Sequence, residues 1–390
     1  MSFKKIELPL EVVILLIAGM ALVITGLLLH AVWSGTVQFY ENGFHGLLLV
    51  IFALQTMMMG KTPFGDMPRS PVLTAVGAFI AATGIAACFI PVFDRFPRLL
   101  LIICFGPGGL ALLLQMLLAS DKARTWIRYG GVFRHLTIAC TSVYCLSILL
   151  SVLLSMDARI PVPAVAAVVF VDGIMVFYLA GVLRKIYRTY PGSEKSQENA
   201  GLSANETMIL LTGIFMIVLG LMLIPVSLGL LPFSASAQVG LLMVIFAVQM
   251  LAAGSTPVGP FARSWPLILS GLVFAGLGII SCVIPGILVK PLTILVGILN
   301  VLGGVIALAG ICLSRRKEAG SGRPSHPLLA RLFMLQLTTN ILTVMFGVSM
   351  FIPGLVHGSI VGMILAANGG AILYLLRTLV LLGRMQTAAA

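Results

Sequence analysis

Charge is what this sequence has least of: 12 acidic and 24 basic residues in 390 make 9%, against about 25% in soluble domains. Hydrophobic residues make up 59% and the mean hydropathy is +1.13, far more apolar surface than a soluble fold can bury, so a water-soluble globular class is excluded. Six cysteines (Cys88, Cys104, Cys140, Cys145, Cys282 and Cys312) form no C-x-x-C pair and have no histidine at ligand spacing. They read as small buried thiols rather than as disulfides or metal ligands. Paired carboxylates, Ser/His/Asp sets and phosphate-cradling glycine loops are also missing, which points away from an enzyme and from any cofactor or metal. The net charge of +12 in a soluble chain would invite nucleic acid. Here the basic residues fall between apolar segments, so membrane orientation explains them and the expected partner is the lipid bilayer. A homo-oligomer or a membrane-protein partner stays open.

What is there is apolar runs, at about residues 10–32, 43–60, 71–92, 98–119, 133–155 and 161–183, then 206–227, 236–254, 266–285, 290–313, 330–352 and 357–380. Each is long enough to cross a hydrocarbon core of about 30 Å at about 1.5 Å per residue. The first run is too long for a signal peptide's apolar region and lacks a small-x-small cleavage site, so it reads as a retained helix. The expected fold is all-α and integral to the membrane, with about twelve transmembrane helices.

The chain is organised around a repeat. Residues 46–90, closed by Pro91, recur without a gap as 240–284, closed by Pro285; the offset is 194, and 22 of 46 positions are identical. Each copy is two apolar segments joined by a Thr-Pro-x-Gly turn. At the same offset Gly19 and Gly26 meet Gly213 and Gly220, Pro97 meets Pro291, and Gly109 meets Gly303. Recurring small residues let helices approach closely where lipid supplies no hydrophobic drive between them. The expected domains are a first six-helix repeat (1–183), a cytoplasmic linker (184–205) and a second six-helix repeat (206–390). An even number of spans per half makes the repeats parallel, related by a pseudo-twofold axis along the membrane normal. Ile90-Pro91, Ile224-Pro225, Ile284-Pro285 and Ile352-Pro353 each read as closing the first helix of a pair, giving three hairpins per half.

With the N-terminus inside, twenty basic residues fall in inner segments and four (Arg95, Arg98, Arg159 and Lys290) in outer ones. By the positive-inside rule this predicts a multi-pass protein of the bacterial inner membrane with both termini cytoplasmic.

The half-length of 194, six spans per half, the TGIFMIVLGLMLIP stretch from Thr212 and SWPLILSGLVFAGLG from Ser264 resemble the HdeD-like short-repeat membrane proteins, as two units fused in tandem. The first half is the looser match, with SPVLTAVGAFIAATG in place of the Ser-Trp-Pro stretch. The resemblance implies a non-enzymatic protein associated with acid or envelope stress, and it transfers no site residues. A rival resemblance is to the major facilitator transporters, through Gly60, Gly65, Asp66 and Arg69 between spans two and three. In that pattern Asp66 has no following basic residue, its counterpart is Pro260, and Cys104 stands where an arginine is common.

Polar residues inside apolar runs are the candidate proton or substrate site. Asp172 lies mid-span, where an ionised carboxylate costs about 2.5–3.5 kcal/mol, so it is protonated, paired or facing water. Its counterpart is Asn368, at an offset of 196, and each is followed by glycine and then tyrosine. Gln55 and Gln249 match at the 194 offset, suggesting contact near the twofold axis, and Asn300 sits in the tenth span. His30, His45 and His357, at the outer ends of spans, are the candidate pH sensors. Gly106-Pro107-Gly108-Gly109 is expected to interrupt the fourth span, the methionine run 57–59 to be packing, and Trp33, Trp126, Trp265, Tyr129 and Tyr187 to be interfacial anchors.

Overall fold

All twelve apolar runs become helices of membrane-crossing length, since a helix satisfies its backbone groups internally where lipid offers them no partner. The computed structural model describes residues 8–91, 95–119, 121–156, 160–190, 202–256, 259–260, 264–319, 327–351 and 357–389. In chain order the helices are α1 (Leu10–Trp33), α2 (Glu41–Met59), α3 (Pro71–Phe89), α4 (Arg95–Leu118), α5 (Ala123–Tyr129), α6 (Val132–Ser155), α7 (Val162–Thr189), α8 (Ala204–Ser227), α9 (Ala235–Val248), α10 (Trp265–Val283), α11 (Val289–Ala319), α12 (Pro327–Phe351) and α13 (Gly358–Ala389). A π-helical turn, Gln249–Ala253, prolongs α9. The fold is all-α and multi-span.

Packing divides the chain differently from the repeat. One compact unit holds residues 1–204, 234–253 and 263–288; the other holds 205–233, 254–262 and 289–390. The duplicated hairpin α9–α10 therefore packs in the first unit, although its sequence belongs to the second repeat. Helix α7 runs to Thr189, so the expected linker 184–205 begins as helix, and its residues 191–201 lie outside the described part.

In the first unit, α1 starts at what we term the N-terminal face and ends at the far face. At the far face the two copies of the hairpin interlock. Tyr40, the N-cap of α2, donates its backbone N–H to the carbonyl of Val283, the last residue of α10, at 2.8 Å. Ser234, the N-cap of α9, donates to the carbonyl of Phe89, the last residue of α3, at 2.9 Å. Both donors and both acceptors are related by 194 residues. A reciprocal exchange of this kind is the signature of a twofold relation. Because both helix starts meet both helix ends on one face, the hairpins run the same way and the local axis lies along the helices. Each bond also occupies a backbone group that a helix terminus leaves open.

Within each hairpin the contact is made by glycine. A Cβ on Gly84 would sit 2.8 Å from the Gly46 carbonyl oxygen, and one on Gly278 2.6 Å from that of Gly240. Bare backbones thus touch where any side chain would part them. The closely packed pairs of the first unit are α1 with α7, α2 with α3, α4 with α6 and α9 with α10. These partners are not the Ile-Pro-linked pairs read from the sequence: the glycine faces choose the partner, whereas the Ile-Pro turns only reverse the chain. Ile90 and Ile284 do end α3 and α10, in the same extended conformation. Pro225 instead lies inside the last turn of α8, and Ile352-Pro353 falls outside the described residues.

Three further expectations change. Helix α4 is uninterrupted across Pro107; Ser151 Oγ donates to the Ile102 carbonyl at 2.9 Å on the turn that the proline loosens. The Thr-Pro-x-Gly turn is a miniature antiparallel hairpin, Lys61 opposite Asp66 and Thr62 opposite Gly65, entered through Gly60 at φ 68°. Finally, α5 falls between two predicted spans; Ala123 is buried and Trp126 packs against the cluster of Leu136, Cys140, Leu179 and Ile186, so Trp126 is a packing residue. Cys88, Cys104, Cys140 and Cys282 are buried as read, while Cys145 and Cys312 are exposed. On α4 the outward residues Leu99, Ile103, Leu110, Leu114 and Leu117 form an apolar stripe suited to lipid.

The second unit repeats the theme. Helix α8 packs on α13 through Gly213, Gly220, Gly362 and Gly369, and α11 packs on α12. Its hairpin, 255–256 with 259–260, pairs Ser255 with Pro260 and Thr256 with Gly259.

Candidate functional site: an ionisable cavity in the first unit

A cavity of about 260 Å³ opens between α1, α2, α4, α6 and α7. These helices are held apart at the far face by their own bulk: α2 brings Phe44 and Leu48, α4 Leu101 and Phe105, and α6 Leu150 and Leu153. Phe105 is fixed edge-on against Phe52, ring centroids 5.3 Å apart. The wall is therefore hydrocarbon.

Three ionisable side chains interrupt it. Glu41 and His45 stand one turn apart on α2, the carboxylate 3.7 Å from Nε2. The glutamate side chain is 54% exposed and marks the mouth, whereas the imidazole is 2% exposed. His45 Nδ1 has no hydrogen-bond partner among the described residues. Arg98, half-buried on α4, donates from Nε at 2.9 Å, and also from Nη2, to the carbonyl of Leu154 near the end of α6. A helix C-terminus offers both a free carbonyl and a negative dipole end, so the cation is anchored there. Arg98 and His45 both line the cavity.

Asp172 shares a helix face with two residues of the cavity. Val165, Val169 and Asp172 follow each other along one face of α7, and the first two line the cavity. On α1 the lining residues Leu22 and Leu29 flank Thr25 on the same face. The α1–α7 pair is set by Gly26 against Phe170 and Gly173 against Val23, which puts Thr25 and Asp172 at one depth. Both are buried, at 0% and 1% exposure, and neither Thr25 Oγ1 nor Asp172 Oδ1 has a hydrogen-bond partner among the described residues. Helix α6, the other neighbour of α7, carries Tyr144 and, nearer the N-terminal face, His135, whose Nδ1 lies 2.7 Å from Tyr178 Oη.

The pairing of Asp172 with Asn368 holds in three dimensions. A Cβ on Gly173 would sit 3.0 Å from the Gly19 carbonyl, and one on Gly369 2.8 Å from that of Gly213. The α1 and α8 residues differ by 194 and the α7 and α13 residues by 196, so Asp172 and Asn368 occupy equivalent places. Asn368 is 2% exposed and its Oδ1 too has no partner among the described residues.

The other predicted residues are dispersed. Gln55, on α2, and Gln249, which opens the π-helical turn, are half-buried; α2 and α9 each pack on α3 and α10. Asn300, in the second unit, donates from Nδ2 to the Val296 carbonyl of its own helix at 2.8 Å. His30 is exposed at the end of α1 beside Trp33, and His357, exposed in the second unit, precedes α13. Of the three candidate pH sensors, only His45 belongs to the cavity.

At the N-terminal face lies a cluster the sequence does not reveal. Glu11 of α1 takes Lys61 Nζ on one carboxylate oxygen and Tyr187 Oη on the other, joining α1, the 61–66 hairpin and α7. Tyr187, read as an interfacial anchor, is thus a tie between helices. The same hairpin lies under α4, where a Cβ on Gly108 would come within 2.8 Å of the Pro63 carbonyl. No family model, curated protein or solved structure matches this chain.

Proposed function

We propose that the chain is a non-enzymatic protein of the bacterial inner membrane, HdeD-like in type, with both termini cytoplasmic, that serves in acid or envelope stress through protonation of Asp172 in the first unit. The observation that carries this reading is the buried Asp172 carboxyl, with an oxygen that has no partner among the described residues, on the α7 face whose Val165 and Val169 line the cavity, where the equivalent place in the other repeat carries the neutral Asn368. Packing at that place is served by asparagine, so the carboxyl is kept for what asparagine lacks, an exchangeable proton. With termini inside, the far face is periplasmic and the cavity opens toward the acid side. Replacing Asp172 by Asn preserves shape and removes the titrating group. Cells carrying Asp172→Asn should survive at about pH 7 but lose viability relative to wild type at about pH 5, with unchanged expression and thermal unfolding. Equal survival at both pH values would refute the reading.

A second reading, a proton-linked carrier of a small solute, is favoured by one arrangement. In the first unit the cavity opens at the far face, while the Glu11–Lys61–Tyr187 cluster and the 61–66 hairpin occupy the N-terminal face. A pH gradient across proteoliposomes should then drive solute uptake in the wild type and not in Asp172→Asn. Gradient-independent leakage equal in both would exclude it.

A further inference from the structure

We infer that the N-terminal face of the first unit carries a binding site for an anionic phospholipid, formed where the short helix α5 meets the start of α6. The inference goes beyond the reading above and uses neither Asp172 nor the cavity.

Packing accounts for only one face of α5. Ala123 is buried, and Trp126, one turn on, packs against the cluster of Leu136, Cys140, Leu179 and Ile186. Arg124, Ile127 and Arg128 follow at the spacing of the opposite face, and all three are exposed. Lys122 Nζ lies 3.4 Å from Asp66 Oδ2, which ties the entry of α5 to the 61–66 hairpin at the N-terminal face. At the exit, Gly130 and Gly131, at φ 67° and 55°, turn the chain into α6. The helix is thus held between the ends of two membrane-crossing helices, α4 and α6, at the level where lipid headgroups begin.

Charge selects the head of the ligand. Arg124 and Arg128 stand one turn apart on α5. The Tyr129 and Phe133 rings, centroids 6.1 Å apart, bring the start of α6 against the end of α5, and with it the exposed Arg134. Among the described residues no carboxylate pairs with any of these three guanidiniums: Asp66 is taken by Lys122, Glu11 by Lys61, and Asp121 is exposed without an ion pair. Neighbouring like charges favour a shared anion, and planar guanidinium donors match the oxygens of a phosphate.

Free phosphate would account for the arginines but not for their apolar neighbours. Leu118, at the end of α4, and Ile127 and Tyr129, on α5, are exposed as well. Phe133 carries the aromatic row on to Tyr190 at the end of α7, ring centroids 5.8 Å apart. Arginine beside exposed apolar and aromatic side chains at the end of a span suits a molecule with a phosphate head, whose chains run into the hydrocarbon along the outward Leu114 and Leu117 of α4.

The test places the full chain in nanodiscs of phosphatidylcholine containing a minor share of a brominated lipid, which quenches tryptophan on contact. Trp33, Trp126 and Trp265 are replaced by Phe, and Ile127→Trp sets a single reporter between Arg124 and Arg128. Brominated phosphatidylglycerol should quench it with an apparent affinity about tenfold above that of brominated phosphatidylcholine, the scale of one or two surface arginines on an anionic head. Arg124→Gln, Arg128→Gln and Arg134→Gln together should bring the two lipids level, with an unchanged unfolding temperature in phosphatidylcholine alone. Independently of the reporter, the unaltered chain in detergent should unfold at a higher temperature with phosphatidylglycerol than with phosphatidylcholine, and the three-arginine variant should not. Equal quenching by both lipids with the arginines in place, a preference that survives their removal, or unfolding temperatures raised equally by both lipids would each overturn the proposal.

Discussion

Gly46 and Gly84 show how much depends on a missing atom. A Cβ on Gly84 would meet the Gly46 carbonyl at 2.8 Å, and one on Gly46 would meet Cys88 Sγ at 2.6 Å, so neither helix can yield without parting from the other. Gly46→Ala should cost about 1–3 kcal/mol in detergent unfolding, the usual scale of overpacking. Gly181, helical with open space about it, is the control: Gly181→Ala should be neutral or gain about 0.5–1 kcal/mol. A similar loss at both positions would show that the loss is not one of close approach. Residue identity announced some of this. Asp172 and Asn368 stood out as polar groups in apolar runs, and the drift from 194 to 196 between them is confirmed by the glycines they precede. Arg98 did not stand out, because a cation beside Pro97 at a span end reads as an orientation signal. Its partner carbonyl, Leu154, lies 56 residues away. The His45 nitrogen without a partner among the described residues was equally hidden, since the residue type says nothing of what faces it.

Helices and hairpins were legible as elements, but not in their partners. Hydropathy marks where a span lies; which face it presents depends on the position of each glycine around the helix axis, and the Ile-Pro turns drew attention to chain reversals instead. The reciprocal bonds Tyr40 to Val283 and Ser234 to Phe89 give the element-scale prediction. In a chain lacking its native cysteines, Tyr40→Cys with Val283→Cys, and Phe89→Cys with Ser234→Cys, should each form an intramolecular disulfide on mild oxidation, since bonded backbone neighbours lie within bridging distance. Cross-linking in one pair and not the other would break the twofold. The Glu11 cluster is a second element-scale device. Its carboxylate is 12% exposed, so Glu11→Gln should leave Lys61 without its counter-charge and cost about 1–3 kcal/mol of stability. An unchanged unfolding temperature would show the tie to be idle.

For the whole molecule, the duplication was plain from the sequence because it is gap-free, whereas the packing units were not, because nothing local in α9–α10 says that it will dock on its own copy. The orientation that the charge distribution predicts is open to direct labelling. With native cysteines removed, Ser196→Cys and Ala388→Cys should react only from the cytoplasmic side of intact membranes, and periplasmic reactivity of either would invert the scheme. The account as a whole holds that both repeats share one scaffold while the first alone carries the working groups. Its most direct measurement is to convert the first site into the second: Glu41→Ala, His45→Val, Arg98→Leu and Asp172→Asn in one chain. That protein should fold, keep its unfolding temperature to within a few degrees, and lose survival at about pH 5. Survival at about pH 5 retained at the wild-type level in a folded quadruple variant would contradict it.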